Sequence, residues 1–124
     1  MFYSAGGHLE KTIVTLYADV TIGGTGAPTL VAANSKGIKS IVRNSAGNYT
    51  ITLQDQYTRM YSFWVEFIKA TAPTSPAMGI VAVNTKAAGG GTINFVNYSA
   101  TTPTDPASGE EMLCEINLSN SSAP

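Results

Sequence analysis

The chain has 124 residues, a formal net charge of −1, and only one cysteine and one histidine. Seven Lys and Arg residues stand against eight Asp and Glu residues, so we expect no basic surface for nucleic acid. No stretch approaches the roughly 20 apolar residues of a membrane-spanning helix. A single cysteine cannot form an intrachain disulfide. We therefore expect one domain that folds in a reducing cytoplasm.

Charged residues make up 12% of the chain, about half the ~25% that is typical of soluble proteins. Thr, Ser, Asn and Gly supply the polarity instead. Such a surface suits close packing against another protein, because few ions must lose their hydration. It also fits an unspecialised β domain with a neutral exterior.

The chain opens with a short arm, residues 1–10, that contains Phe2 and Tyr3. We expect the arm either to be disordered in the free protein or to dock its aromatic side chains on a neighbour. From Lys11 to Ile22, apolar and polar residues alternate with the period of a half-buried strand. Glycines then break this strand, and Pro28 keeps the following weak strand, Thr29 to Ala33, out of the interior of a sheet.

A hairpin is predicted next. Two alternating segments, Ile38 to Arg43 and Asn48 to Gln54, flank the sequence Asn44-Ser45-Ala46-Gly47. Asn and Gly are the residues that most readily take a positive φ in such a turn.

The segment Tyr57 to Ala70 is compatible with two periods. Its odd-numbered aromatic residues would share one face of a strand, whereas Met60, Trp64 and Phe67 fit helical spacing. We predict a strand, because aromatic residues and Val favour a pleated surface. Most aromatic side chains are expected in the core, and any left outside would be anchors for a partner. This expectation covers Tyr61, Phe63, Trp64, Phe67, Phe95 and Tyr98.

Three further strands complete the predicted elements. Met78 to Asn84 is apolar on both faces and is typical of an interior strand. Thr92 to Ser99 forms another, and Met112, Cys114, Ile116 and Leu118 mark the buried face of the last. Seven or eight short strands predict an all-β fold, an antiparallel sandwich or barrel of jelly-roll type, over residues 11–119. Residues 120–124 form a short tail.

Little in the chain points to catalysis or to a cofactor. His8 has no companion at metal-ligand spacing, and Cys114 lies on an apolar face where a thiol is buried and inert. Asp105-Pro106 is typical of a turn in which the Asp accepts hydrogen bonds from nearby backbone amides. A calcium site at Asp105 and Glu110 would lack regular ligand spacing. We predict no enzyme activity, metal or cofactor.

Two pieces of the sequence resemble a type of small virion protein from tailed bacteriophages. GIKSIVRNSAGNYTITLQDQY contains Gly47, Tyr49 and Asp55, and DPASGEEMLCEINLSNSS begins at Asp105 and includes Leu118. The resemblance spans about Gly37 to Ser122, and its motifs are strands and turns rather than catalytic residues.

The resemblance implies a decoration, or cement, protein on the exterior of the phage head, made in the host cytoplasm. Its partner would be the major capsid protein, and such proteins commonly form homo-oligomers, often trimers. Neither nucleic acid nor a membrane would be a partner. The contact residues are predicted in the arm, in the loop Gly23 to Pro28, in the tail and among exposed aromatic residues. The candidates are Phe2, Tyr3, Thr25, Pro28, Tyr98 and Asp105.

Two other functions remain open from the sequence. The chain could be a tail or fibre component that binds a host receptor or glycan, for example through Tyr98, Asn97 and Asp105. It could also be a small carbohydrate-active enzyme, although the sequence shows no pair of carboxylates that would act together.

Overall fold

Two antiparallel sheets make up the part of the chain that a computed structural model describes, which is residues 13–57, 59–70, 72, 77–81 and 91–119. The strands are β1 (Ile13–Ile22), β2 (Pro28–Leu30), β3 (Ile38–Ser45), β4 (Asn48–Leu53), β5 (Arg59–Ile68), β6 (Ala77–Val81), β7 (Thr92–Ser99), β8 (Thr102–Pro103) and β9 (Glu111–Ser119). Single 3-10 turns lie at Gly24–Gly26 and Ala32–Asn34.

The first sheet has the strand order β2-β1-β9-β5, and the second has the order β3-β4-β7-β6 with β8 paired to β7. The sheets face each other and do not close into one another, so the sandwich prediction is confirmed and the barrel alternative is wrong. The described part of the chain contains nine strands, where seven or eight were expected. β2 and β8 are only three and two residues long, too short to show a period in the sequence.

The core lies between the sheets and follows from strict alternation along the strands. β1 and β9 are paired without interruption from Ile13↔Ser119 to Thr21↔Glu111. The predicted inward residues of both strands that the structure describes are buried, apart from the half-buried Val14, which confirms these two strands. The core residues they contribute are Leu16, Ala18, Val20, Ile22, Met112, Cys114, Ile116 and Leu118. The second sheet adds Ile38, Ile41, Tyr49, Ile51, Leu53, Ile93 and Phe95, and β5 adds Met60.

The predicted hairpin is present as β3 and β4, but its turn is tighter than expected. Ser45 pairs with Asn48, so that only Ala46 and Gly47 lie between the strands. Gly47 alone supplies the positive φ, at 71°. Asn44 belongs to β3, where its side-chain amide donates to Thr50 Oγ1 at 2.7 Å. Asn44, which was predicted in the turn, therefore lies on the outer surface of the sheet.

β5 is a strand, as predicted, but its inward face changes along its length. A bulge separates the pair Met60↔Leu118 from the pair Ser62↔Asn117. Met60 is buried before the bulge, whereas Phe63 and Val65 face inward after it. An extra residue in one strand reverses the alternation beyond it, and Tyr61 at the bulge is 41% exposed. The prediction that Tyr61 shares a face with the odd-numbered core residues is wrong for this reason.

Among the described strands, β6 lies at an edge of the second sheet, which corrects the prediction of an interior strand. Met78 and Ile80 are 54% and 50% exposed. Gly79 faces the other sheet, where a side chain in its place would collide with Val65. Apolar residues on both faces of a strand give no information on how many neighbours pair with it, so the pattern alone could not place β6. Residues 82–84 of the predicted strand lie outside the described residues.

Candidate functional site

The largest side chain of the protein lies on the surface rather than in the core. Trp64 is 67% exposed, which corrects the expectation that it is buried. Phe63, Val65 and Phe67 occupy the inward positions of β5, so that Trp64 and Glu66 between them point away from the core. The sequence did contain the signal, since a charged residue at the same parity as Trp64 marks that face as the solvated one.

The outward-facing residues of β1, β9 and β5 form the surface that we call the Trp64 face. Its central row runs across three strands, because Tyr17 and Trp64 are both Cα partners of Glu115. Adjacent strands lie about 4.8 Å apart, which places the two aromatic residues about 10 Å from each other with Glu115 between them. Tyr17 is 46% exposed. Two aromatic side chains and a carboxylate are thus presented together.

The rows on either side differ in their polar partners. In one neighbouring row Thr15 Oγ1 donates to Asn117 Oδ1 at 2.7 Å, and Asn117 Nδ2 donates to Ser62 Oγ at 2.9 Å. That row therefore bonds mostly within itself, with one longer hydrogen bond from Asn117 Nδ2 to Glu115 Oε2 in the central row, at 3.5 Å. In the other neighbouring row, Asp19 and Glu66 flank Leu113.

An open groove of about 490 Å³ follows the two rows that contain the aromatic residues and the acids. Its outward-facing lining consists of Tyr17, Trp64, Glu66, Leu113 and Glu115. Of the carboxylates on the Trp64 face, Glu66, Glu111 and Glu115 form no ion pair within the ranges that the structure describes. Two of the carboxylates accept a hydrogen bond from a neutral side-chain amide: Asp19 Oδ2 from Asn34 Nδ2 at 3.1 Å and Glu115 Oε2 from Asn117 Nδ2 at 3.5 Å. The groove offers aromatic stacking and negative charge.

Asp105, a predicted contact residue, lies in a hydrogen-bond network at one end of the sandwich. Its carboxylate faces Arg43 in a two-pronged arrangement, with Nε–Oδ1 and Nη2–Oδ2 distances of 3.0 and 2.9 Å. The Gly47 amide donates to Oδ1 at 2.8 Å. The Tyr49 hydroxyl lies 2.8 Å from the Gly26 carbonyl and 3.1 Å from Asp105 Oδ1. Asp105 does accept from a backbone amide, but the prediction that the amide is a nearby one is wrong, because the donor is Gly47, 58 residues away in the β3–β4 turn.

The electrostatics of this network follow from its geometry. The hydrogen bond from Arg43 is the main reason that the pKa of Asp105 is lowered from its ordinary value of 3.8, and it outweighs the opposing effect of burial. The amide of Gly47 and the hydroxyl of Tyr49 act in the same direction. Burial, together with the charge of Asp105, raises the pKa of Tyr49. The network therefore consists of an ionised Asp and a neutral Tyr.

A second carboxylate, that of Glu110, stabilises the loop that connects the two sheets. Glu110 Oε1 accepts from the Ala107 amide at 3.0 Å and from Lys69 Nζ at 3.2 Å. Burial raises the pKa of Glu110, but these hydrogen bonds, with a longer one from the Ala70 amide, outweigh burial and lower it overall. The loop from Thr104 to Glu110 carries the chain from β8 to β9. Asp105 fastens its start to the second sheet, and Glu110 fastens its end near β5.

The other predicted contact residues that the structure describes, Thr25, Pro28 and Tyr98, do not converge on the Trp64 face. Phe2 and Tyr3 lie outside the described residues. Thr25 is exposed in a 3-10 turn with a left-handed φ of 54°, and Pro28 is half-buried at the start of β2. Tyr98 and Asp105 line one depression of about 60 Å³, roughly the space of two waters. Asn97, the remaining candidate for a glycan contact, is buried and donates to Met112 Sδ at 3.1 Å.

Cys114 is buried, as expected, and burial raises its thiol pKa to about 12. Such a thiol is protonated at neutral pH and is a poor nucleophile. His8 lies outside the described residues. No group of three or more His, Cys, Asp or Glu side chains is placed to hold a metal ion within the ranges covered by the structure.

No protein-family model, no curated protein and no solved structure matches the chain. None of the helices in the described part of the chain is long and apolar enough to cross a membrane.

Proposed function

We propose that the chain is a non-enzymatic structural protein of a tailed-bacteriophage virion, a decoration protein that binds the major capsid protein on the outside of the head. The observation that carries the proposal is where the motif residues lie. Gly47 and Tyr49 come from one of the two pieces that resemble such proteins, and Asp105 comes from the other. They meet in one hydrogen-bond network across 58 residues of sequence. The two resemblances thus describe a single structural unit.

The Trp64 face supports the same proposal because it is a surface suited to a protein partner. Aromatic residues, and Trp above all, are enriched where binding energy concentrates in interfaces. Aromatic side chains bury about 150–250 Å² each, so covering the 67% of Trp64 that is exposed would contribute at most about 2–4 kcal/mol at about 25 cal/mol per Å², before the costs of association. Contacts of this size, repeated at each copy over a shell, stabilise the assembled state by mass action. A homotrimer placed over junctions between capsid subunits would match the symmetry of the shell.

The proposal is tested by immunogold electron microscopy of virus particles from the source, with antibody against this chain. Label spread over the heads is the expected result. Label confined to tails would replace decoration by the alternative, a tail or fibre component that binds a host receptor or glycan. Particles without label would overturn a virion function altogether.

A second test asks whether the Trp64 face makes the contact. Particles stripped of the protein are incubated with the wild-type chain, with Trp64→Ala or with Val42→Ala, and bound protein is quantified. Val42 is 51% exposed on the outer face of the second sheet and so serves as the matched control. We expect Trp64→Ala to reduce occupancy at least tenfold, and Val42→Ala to bind as the wild type does. Equal binding by all three would exclude the Trp64 face as the contact surface.

A further inference from the structure

The Trp64 face carries an excess of negative charge. Four of the protein's eight acidic residues point outward from its strands: Asp19, Glu66, Glu111 and Glu115. Among the described residues, two cations accompany them at the periphery. Lys36 pairs with Tyr17 at the edge beyond β1, and Arg59 lies in the row of Ser119, two rows from Glu115. The centre of the face, around Trp64, Glu115 and Glu66, is therefore aromatic and acidic.

This charge excludes several kinds of partner. A second copy that used the same face in a two-fold contact would bring identical carboxylates together, which is unfavourable. A nucleic acid would be repelled by the carboxylates. A wholly apolar surface would strip water from Glu115 and Glu66 without offering a counter-charge, and that desolvation costs more than the contact returns.

A guanidinium group satisfies both features of the groove at once. Its flat face stacks on an indole ring, and its N–H groups donate to a carboxylate in a paired geometry. Trp64 and Glu115 are direct neighbours across β5 and β9, which places a ring and a carboxylate within reach of one such group. Glu66 lies two residues farther along β5, close enough for a second cation of an extended segment, in which alternate side chains share a face.

We propose that the Trp64 face binds an extended, arginine-bearing segment of a partner protein, with one guanidinium between Trp64 and Glu115. This inference deepens the proposed function, since it gives the chemistry that the contact segment of the capsid protein would have. It does not depend on the capsid for its test, because the isolated chain and a short peptide are sufficient.

Trp64 is the chain's only tryptophan, so intrinsic fluorescence reports on the site directly. The chain is titrated with a capped Thr-Arg-Thr-Arg-Thr peptide and with the same peptide carrying citrulline, a neutral isostere of arginine. We expect a saturable change in tryptophan emission with the arginine peptide. The citrulline peptide should bind at least tenfold more weakly. Raising the salt from about 0.05 M to 0.5 M should weaken arginine binding severalfold, because screening acts on exposed charges.

Two variants that retain Trp64 test which carboxylate contributes to arginine binding. Glu115→Gln should weaken binding of the arginine peptide about tenfold, in line with the strength of charge-assisted hydrogen bonds. Asp55→Asn, which changes an exposed carboxylate in the loop after β4, should leave it unchanged. Far-UV circular dichroism of both variants confirms that the fold is retained.

Equal binding of the arginine and citrulline peptides, no effect of Glu115→Gln, or no binding of the arginine peptide would each overturn the inference. A response to a neutral oligosaccharide such as maltotriose without one to arginine would assign the face to a glycan instead. Failure of the peptide test leaves head labelling by immunogold unaffected. Conversely, particles without label would overturn the virion function and leave a positive peptide titration standing.

Discussion

Gly47 closes the β3–β4 hairpin with a φ of 71°, a conformation that costs an L-residue about 1–2 kcal/mol. A Cβ at this position would lie 2.6 Å from both the Asn97 carbonyl oxygen and the Thr104 amide nitrogen. Because both atoms belong to the backbone, they cannot move aside without disturbing β7 and the loop that follows β8. Any substitution of Gly47 therefore introduces both backbone strain and a steric clash.

A series of three Gly→Ala variants separates these two effects. Gly24 has neither a positive φ nor an atom within 4 Å of the position that a Cβ would take, and Gly109 has a φ of 89° but open space. We expect Gly24→Ala to change the free energy of unfolding by less than about 0.5 kcal/mol and Gly109→Ala to lower it by about 1 kcal/mol. Gly47→Ala should lower it by about 3 kcal/mol or more. Urea unfolding followed by circular dichroism measures all three, and equal effects at Gly47 and Gly109 would show that the turn relaxes.

Trp64 should matter little to the fold despite its size. Its side chain is mostly solvated, so Trp64→Ala is expected to change the free energy of unfolding by no more than about 0.5 kcal/mol. Phe95, which is fully buried and lies 5.0 Å from Phe63 between ring centroids, is the contrasting position. Phe95→Ala should cost about 3–5 kcal/mol. Chemical denaturation compares the two variants, and a loss above about 2 kcal/mol for Trp64→Ala would assign Trp64 a structural role.

At the scale of elements, the loop from Thr104 to Glu110 should make the protein sensitive to acid. The folded-state pKa values of Asp105 and Glu110 lie below their ordinary values of 3.8 and 4.5. The unfolded chain therefore binds more protons in this range, and the stabilisation is complete above about pH 4.5. It is lost as the pH falls through the lowered folded-state values.

The variant Asp105→Asn combined with Glu110→Gln tests this dependence. Its free energy of unfolding should be lower by about 2–4 kcal/mol at pH 7, about 1–2 kcal/mol for each carboxylate, because the neutral amide side chains retain part of the hydrogen bonding. Between about pH 5 and pH 3 it should also fall less steeply than that of the wild type. Asp55→Asn is the control. Parallel curves for the double variant and the wild type would refute the assignment of the acid response to this loop.

Elements with one simple period could be predicted from the sequence, and those set by long-range contacts could not. Apolar and polar residues alternate without interruption along β1 and β9, and this alternation predicted both strands. The bulge in β5 reverses the alternation at Tyr61, and the period gives no sign of it. The edge position of β6 depends on which strands pair with β7, a choice that is not local.

The same distinction holds for the candidate site. Trp64 and Glu66 are two residues apart and therefore share one face of the strand, and the charge of Glu66 indicates that this face is outward. Only the general tendency of aromatic residues to be buried argues against an outward tryptophan. The partnership of Glu115 with both Tyr17 and Trp64 requires the strand order, which no local pattern contains. The sequence predicts Asp105 in a backbone-binding turn, but nothing in it joins Asp105 to Arg43.

At the scale of the whole molecule, the arm is predicted to contribute to binding along with the sandwich. Under the proposed decoration function, removal of residues 1–7 should lower the occupancy of capsids, because a segment that docks in extended form adds contact area for few residues. The measurement is the amount of truncated protein bound to stripped particles, compared with the full chain at equal concentration. Occupancy that is unchanged by the truncation would contradict the prediction, provided that circular dichroism shows the sandwich intact.

The pairing of β1 with β9 also determines when the protein can fold. Thr15 and Asn117, which bond to each other across these strands, are 102 residues apart. While the chain is being synthesised, β1 waits for its central neighbour until nearly the whole described sequence has left the ribosome. Closing so long a loop is slow, and the apolar face of β1 stays uncovered meanwhile. Folding of the first sheet therefore cannot be completed before β9 has emerged, and until then the nascent chain is a natural client for a chaperone.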